Sequence, residues 1–372
     1  MKRWLLALGL LAALGCQHAG NEIRIGVYTS LTGSTATWGQ SGKMAIDLAV
    51  AEVNTKGGVL GRPVKVIYED DQSLPEQAKT AVVKLIKQHK VVAVIGENAS
   101  SRSLAAAPEC QRHKIPMVSP FSTNPKVTQV GDFIFRVCYI DPFQGAAMAK
   151  FAYQQLGARR VAILRDVKND YSVGLAEYFS KTFTGLGGTI VADASYSEGD
   201  VEFRAQLTSL KTANADTIFI PGYYTEIGLI ARQARELGIA VPLLGGDGWD
   251  SPKTVELGGE AINGAYFTTT FAPDDPNPLG QAFITAYREK YHQDPDGTAA
   301  VGYEAALVLF DAITRAGNTE GPAIRDALAK TKDFHGVSGT LSIDHERNAV
   351  KRIVIMKIDA GKARFHSAVE PG

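Results

Sequence analysis

The feature that most constrains the fold is a regular alternation of short β-branched runs with longer amphipathic runs. Residues 23–28, 64–69 and 91–95 are rich in Val, Ile and Tyr and are predicted to be strands. Residues 40–54 and 75–87 lie between them and have apolar side chains at helical spacing. This alternation is typical of βαβ units, in which parallel strands form a sheet covered by helices. The sequence therefore predicts an α/β fold.

A second series of the same kind starts after Asp141. The stretch 273–278 contains three prolines and interrupts any regular element, because each proline fixes φ and lacks an N–H donor. We interpret it as a crossing between two domains. The remaining predicted elements are helices at 104–113, 143–156, 174–186, 203–213, 226–237, 279–291, 298–316 and 322–330, and strands at 116–119, 161–164, 190–194, 217–220, 242–245 and 351–358. The simplest architecture is two α/β sheets with several crossings between them.

The N-terminus, MKRWLLALGLLAALGC, is typical of a signal peptide. Lys2 and Arg3 precede an apolar run that is too short to span a bilayer. Its end resembles a bacterial lipobox, in which Cys16 is lipidated and becomes the mature N-terminus. Ala13 stands where that pattern prefers Leu, so ordinary cleavage is the alternative. We expect an exported protein whose membrane contact is a lipid anchor at Cys16.

The chain has three cysteines, and no pair has the CxxC spacing of a zinc, iron–sulfur or redox site. Outside the cytoplasm, Cys110 and Cys138 can form a disulfide, which would stabilise the fold by roughly 3–4 kcal/mol. The alternative is two buried free thiols. Of these two alternatives, we favour the disulfide between Cys110 and Cys138.

Charge and motifs exclude several functions. Lys plus Arg and Asp plus Glu both total 39, so no net field favours nucleic acid or anionic lipid. The chain has no GxSxG, HExxH or P-loop motif, and no GxGxxG follows the first strand. We therefore predict no catalytic residues, no cofactor and no metal site.

Polar loops follow four of the predicted strands. The loops 96–103 and 119–125 are rich in hydroxyl groups, and the first leads into a helix N-terminus, so both suit a carboxylate. The loops 221–224 and 246–249 bring one carboxylate and several aromatic rings, which suit a cation with an apolar neighbour. For each loop taken alone, turn or capping chemistry is the favoured explanation. Together they predict a ligand site at the carboxyl edges of the sheets.

At these residues the sequence resembles the type I periplasmic binding proteins for branched-chain amino acids, the leucine/isoleucine/valine-binding family. The similarity covers roughly residues 22–358. The motifs that carry it are Thr37-Trp38-Gly39, Asn54-Thr55-Lys56-Gly57-Gly58, Ser100-Ser101, Ser119-Pro120, Thr123-Asn124-Pro125, Asp141-Pro142-Phe143-Gln144-Gly145, Gly222-Tyr223-Tyr224 and Gly246-Asp247-Gly248. The resemblance implies a two-lobed clamp, each lobe a mainly parallel sheet flanked by helices, joined by three hinge crossings. Lobe I would comprise residues 22–141 and 272–349, and lobe II residues 142–271 and 350–372.

The resemblance also implies site residues. Ser100 and Thr123 are expected to bind a ligand carboxylate, with backbone groups of Phe121, and Asp247 and Tyr223 to bind its ammonium. The aromatic walls would be Trp38 and Tyr171, one from each lobe.

Two departures from the family pattern matter. Asp247 stands where the best-known members have glutamate, so the ammonium must lie nearer that strand or be bridged by water. Those members also close a disulfide near the carboxylate site, where this chain has Gln72 and Ala99. Further lining residues are expected at Asn98, Trp249 and Ala299, and Asn98 with Arg102 would admit a ligand with a polar side chain.

The function implied is capture of a free amino acid, with Leu, Ile or Val expected, by hinge closure, and its delivery to an inner-membrane ABC permease. We expect a monomer in the periplasm or on the outer face of the membrane, with no nucleic-acid partner. The alternative is a sensor or regulator of the same fold that recognises an amide or another small amino compound. A third hypothesis is an enzyme with the same α/β fold, which the absence of the catalytic motifs disfavours.

Overall fold

The computed structural model describes residues 22–371, so the predicted signal peptide and Cys16 lie outside the described residues. The strands are β1 Ile23–Thr29, β2 Val64–Asp70, β3 Ala93–Ile95, β4 Met117–Ser119, β5 Ile134–Arg136, β6 Arg160–Asp166, β7 Thr189–Tyr196, β8 Thr217–Phe219, β9 Leu243–Gly245, β10 Tyr266–Thr269, β11 Phe334–Gly336, β12 Gly339–Ile343, β13 Ala349–Val350, β14 Ile353–Asp359 and β15 Lys362–Val369. The α-helices are α1 Ala36–Thr55, α2 Pro75–Lys87, α3 Ser100–His113, α4 Lys126–Gln129, α5 Asp141–Lys150, α6 Asp170–Gly185, α7 Arg204–Thr212, α8 Tyr224–Glu236, α9 Pro252–Gly258, α10 Pro278–Tyr291, α11 Gly297–Ala316 and α12 Gly321–Ala329.

The first sheet has the order β2-β1-β3-β4-β5, and its strands are parallel. Alternate residues of β3 point to opposite faces. Ala93 and Ile95 pack with α1 and α11, whereas Val94 packs with α2 and α3. This alternation is what a strand covered by helices on both sides requires.

The second sheet has the order β15-β14-β10-β9-β8-β6-β7. Strands β6 to β10 pair in parallel, and β14 and β15 join the edge in antiparallel orientation. A small antiparallel sheet, β11-β12-β13, packs on the core of the first sheet. The chain passes between the two large sheets after β5, after β10 and after β13. The predicted two-lobed α/β clamp is therefore confirmed, while the residue limits of each lobe stay a prediction.

Among the described residues, one helix is long and apolar enough to cross a membrane. It is α11, and 83% of its apolar stretch is buried inside the protein. It packs along α1 against the first sheet, which is the environment of a core helix.

The predicted disulfide is wrong, because Cys110 and Cys138 are both buried free thiols. Cys110 lies on α3 in an apolar cluster with Tyr28 and Met117. Cys138 follows β5, and its thiol donates to the carbonyl oxygen of Ser122 at 3.5 Å. The two side chains lie in different surroundings, and burial raises the pKa of Cys138 to about 12, so its thiol is protonated and unreactive.

Candidate ligand-binding cleft

One half of the cleft is built by the N-terminus of α3 and the loop after β4. The helix starts at Ser100, and Ala99 before it provides no side-chain cap. The Oγ of Ser100 accepts a hydrogen bond from the backbone N–H of Asn124 at 3.2 Å, which fixes the loop against the helix. The hydroxyl of Thr123 in that loop is buried and has no hydrogen-bond partner among the described residues. Uncapped helix N–H groups and a free hydroxyl suit an anion.

The other half is built around Asp247, in the turn that follows β9. Its backbone N–H donates to Oε1 of Gln144 at 2.7 Å. Both carboxylate oxygens are buried and have no hydrogen-bond partner of standard geometry among the described residues. The side chains of Tyr171 and Gln144 approach the carboxylate and lower its pKa, against the larger effect of burial. Burial, and then the nearby carboxylate of Asp141, hold the pKa of Asp247 well above its usual range. Such a group is stabilised as a carboxylate only when a cation is placed beside it.

Asp141 and Gln144 connect the two halves. The backbone N–H of Asp141 donates to the carbonyl oxygen of Thr123 at 3.0 Å. Nε2 of Gln144 donates to Oδ1 of Asp141 at 3.2 Å, and Oε1 of Gln144 accepts from Thr268 at 2.6 Å. Burial raises the pKa of Asp141 to about 7. In the sequence, Asp141 and Gln144 stand out only as part of a family motif, and no role of either side chain is predicted from it.

Aromatic rings from both lobes meet at one side of the cleft. Trp38, in the first turn of α1, packs edge-to-face on Tyr223 at 4.9 Å and on Tyr224 at 5.1 Å between ring centroids. Phe121 lies 6.0 Å from Trp38, and Tyr171 stacks on Tyr223 at 5.3 Å. The structure thus brings together four of the five aromatic residues that the sequence placed in the site, and adds Tyr224.

The structure favours Tyr171 over Tyr223 as the phenol beside Asp247. Burial first, and then the charge of Asp247, hold the pKa of Tyr171 well above its usual range. Burial raises the pKa of Tyr223 too, but the largest charge effect on it comes from the guanidinium of Arg102, which opposes that rise. The pairing of Tyr223 with a ligand ammonium stays a prediction.

Hydrogen bonds across the cleft show that the lobes are closed. The indole N–H of Trp38 donates to the carbonyl oxygen of Asp250 at 2.8 Å. Oγ of Ser101 donates to Oδ2 of Asp170 at 2.9 Å, and Nδ2 of Asn124 donates to the carbonyl oxygen of Asp170 at 2.8 Å. These contacts join the first turn of α1, the start of α3 and the loop after β4 to the other lobe.

Two residues expected near the ligand have other surroundings. Trp249 packs in the core of the second lobe, where its indole N–H donates to the carbonyl oxygen of Ile220 at 2.9 Å, and its assignment to the pocket lining stays a prediction. The guanidinium of Arg102 is buried and donates to Ser30 at 2.7 Å and Thr35 at 2.6 Å. Within residues 22–371, no three His, Cys, Asp or Glu side chains are grouped to hold a metal ion.

The family model of periplasmic binding proteins matches residues 22–363. The chain belongs to the periplasmic binding protein family. Several known proteins are similar to this periplasmic binding protein over most of its length. A leucine-binding protein of Thermotoga maritima is 44% identical with a TM-score of 0.90, covering 94% of this chain and 99% of that chain.

Two further relatives support the same family. A branched-chain amino acid transporter substrate-binding protein of Streptococcus pneumoniae, solved in complex with isoleucine, is 34% identical with a TM-score of 0.90, covering 94% of this chain and 100% of that chain. Leu/Ile/Val-binding protein homolog 3 of Brucella melitensis is 31% identical over 324 residues, 86% of this chain and 87% of that protein. The family predicted from the sequence is confirmed.

Proposed function

We propose that the protein captures a free α-amino acid between its lobes. The observation that carries this proposal is that two polar groups are buried without hydrogen-bond partners. The hydroxyl of Thr123 can donate to an anion, and the two carboxylate oxygens of Asp247 can accept from a cation. A zwitterion satisfies both, because its carboxylate accepts from Thr123 and the α3 N-terminus while its ammonium donates to Asp247.

Closure of the lobes follows from the same arrangement. Thr123 lies in the loop after β4 of the first sheet, and Asp247 follows β9 of the second. A ligand that contacts both gains its full affinity only in the closed form, so its binding shifts the equilibrium toward closure.

We assign the ligand to the branched-chain amino acids. The wall formed by Trp38, Phe121 and Tyr223 is aromatic and suits an apolar side chain. The relatives support this assignment, since one is described as a leucine-binding protein and another was solved with isoleucine.

The setting that we propose is transport rather than catalysis. The relatives include a transporter substrate-binding protein, and residues 1–16 are typical of an export signal. The closed, loaded protein would work outside the cytoplasm as a monomer, anchored through Cys16, and release its ligand to an ABC permease.

Calorimetric titration of the ligand-stripped protein against the twenty amino acids, γ-aminobutyrate and short amides tests this proposal. We expect one-to-one binding confined to Leu, Ile and Val. Binding of polar amino acids instead would keep the clamp and refute the branched-chain assignment. Binding of amides or γ-aminobutyrate but of no α-amino acid would refute the α-amino acid proposal and favour the sensor.

A further inference from the structure

Arg136 is a buried cation directly behind the carboxylate half of the cleft. It is the last residue of β5, and its side chain is fully buried. Its guanidinium donates to the carbonyl oxygen of Ser122, to that of Asn124 at 2.8 Å, and to Oγ1 of Thr128 at 3.3 Å. Ser122 and Asn124 flank Thr123, so Arg136 holds the segment that carries the unpartnered hydroxyl.

The charge of Arg136 is not neutralised by a direct ion pair. Among residues 22–371, no carboxylate lies within salt-bridge distance of its guanidinium, and its partners are backbone carbonyls and a hydroxyl. Burial lowers the pKa of Arg136, and Cys138, then the carboxylates of Asp141 and Asp344, oppose that effect. A buried guanidinium without a carboxylate is costly, and it leaves a positive potential in surroundings of low dielectric constant.

We propose that Arg136 is a positioning residue that selects a carboxylate at this end of the ligand. It orients the loop whose Asn124 N–H donates to Ser100 at the start of α3, and its positive charge favours an anionic group there over a neutral one. The carboxylate of Asp247 gives the opposite end a negative potential, and Asp141 lies between the two ends. The ligand class is therefore an α-amino acid with a free carboxylate, in preference to its α-amide. This inference rests on the proposed function.

The test compares leucine with leucinamide, which differ at the carboxylate alone. Dissociation constants are measured by calorimetry for the wild-type protein, Arg136→Met, which removes the charge and the donors, and Arg136→Lys, which keeps the charge. Lys351→Met is the matched control. It also removes a fully buried cation, one that pairs with Glu304 at 3.0 Å and has no hydrogen bond to the loop.

We expect Arg136→Met to reduce the preference for leucine over leucinamide by about tenfold or more, and Arg136→Lys to reduce it less. Lys351→Met is expected to change both affinities by the same factor, which leaves the preference unchanged. A preference in Arg136→Met within about twofold of wild type would overturn the inference and leave the proposed function standing. A wild-type protein that binds no amino acid would refute both.

A second measurement covers the case in which Arg136→Met does not fold. The single ammonium of Arg136→Lys cannot reach all the acceptors that Arg136 contacts, so amide hydrogen exchange at residues 122–124 is expected to be about tenfold faster than in wild type. The same exchange rate in both proteins would contradict a positioning role.

Discussion

At the scale of single residues, the site is defined by polar atoms that the folded chain buries without partners. Most buried polar groups in native proteins are hydrogen-bonded, so unpartnered ones require an explanation. Here the carboxylate of Asp247 and the hydroxyl of Thr123 lie in the same cleft, linked through Asp141 and Gln144. A ligand with an ammonium and a carboxylate explains both at once.

The first prediction concerns Asp247→Asn. The substitution removes the only charge assigned to the ligand ammonium, so leucine binding is expected to weaken by about 2–5 kcal/mol in calorimetry. Glu226→Gln is the matched control, since Glu226 is a buried acid of the same lobe that accepts from the backbone N–H of Gly199 at 3.0 Å. An affinity of Asp247→Asn within about threefold of wild type would show that this carboxylate does not pair with the ligand.

The second prediction concerns pH. Burial raises the pKa of Asp141 to about 7, compared with about 3.9 in an unfolded chain. The folded state therefore binds this proton more tightly, and Asp141 makes the free energy of unfolding fall as pH rises from about 4 to about 7. In urea unfolding of the ligand-free protein across this range, Asp141→Asn is expected to lose less stability with rising pH than wild type. Identical pH slopes would refute the raised pKa.

The sequence predicted those site residues that follow a strand end, but it missed the residues that support them. Ser100, Thr123 and Asp247 lie in polar loops at the carboxyl edges of the sheets, where a ligand site is expected. Gln144 lies inside a helix, and Arg136 ends a short apolar strand. An arginine enclosed by apolar residues, as in Ile134-Phe135-Arg136-Val137, was the available signal, because such a group is buried only with partners.

At the scale of elements, the first turns of three helices carry much of the site. Helices α1, α3 and α6 each begin four residues earlier than apolar spacing predicts, at Ala36, Ser100 and Asp170. Their first turns contain Trp38, Ser100 and Tyr171. Trp38 packs into the core of the other lobe and Ser100 is polar, so neither follows the apolar pattern of its own helix, whereas Tyr171 packs with Leu175 and Phe179 of α6. The starts of these three helices were therefore not predicted from apolar spacing.

Short elements were missed for a different reason. Strands β5 and β10 have 3 and 4 residues, and α9 has 7. Such lengths give too few positions for a period of two or of 3.6 residues to be recognised, and β5 and β10 also end in polar residues, unlike the short apolar runs by which β8 and β9 were predicted. Their neighbours in the sheet, rather than their own sequence, determine their conformation.

The third prediction concerns Gly39 in the first turn of α1. A Cβ at this position would lie 2.0 Å from the carbonyl oxygen of Ser30, so Gly39→Ala must push the turn away from β1 and displace Trp38. We expect leucine affinity to fall by about tenfold or more. Gly185→Ala is the control, because a Cβ there meets no atom within 4 Å. If Gly39→Ala and Gly185→Ala lowered leucine affinity by the same small factor, the close approach of Gly39 to Ser30 would be contradicted.

At the scale of the whole molecule, the two lobes are connected by a hinge whose last crossing is held by a buried ion pair. Lys351, between β13 and β14, donates to Oε1 of Glu304 on α11 at 3.0 Å, and both side chains are fully buried. Ser338 hydrogen-bonds to both of them. The second and third crossings are also joined to each other, by the ion pair of Asp275 with Arg352. The hinge is thus anchored in the core of the first lobe.

The fourth prediction follows from this anchor. Glu304→Ala leaves the ammonium of Lys351 buried without a carboxylate, and is expected to lower the free energy of unfolding by about 3–5 kcal/mol in urea denaturation. The double variant Glu304→Leu, Lys351→Met removes both charges and is expected to recover most of that loss. A double variant as unstable as Glu304→Ala would show that lost packing, and not an unpaired charge, causes the effect.

The central claim is that an amino acid is held between the lobes in the closed form. Trp38 reports closure directly, because its indole N–H donates to Asp250 of the other lobe and its ring packs on Tyr223. A protein that comprises residues 22–372 and carries the substitution Trp249→Phe has a single tryptophan, Trp38. Titration of this variant with leucine is predicted to change the emission of Trp38 saturably, with the dissociation constant that calorimetry gives. Heat of binding without a change in Trp38 emission, or no binding of leucine or any other amino acid, would contradict the account.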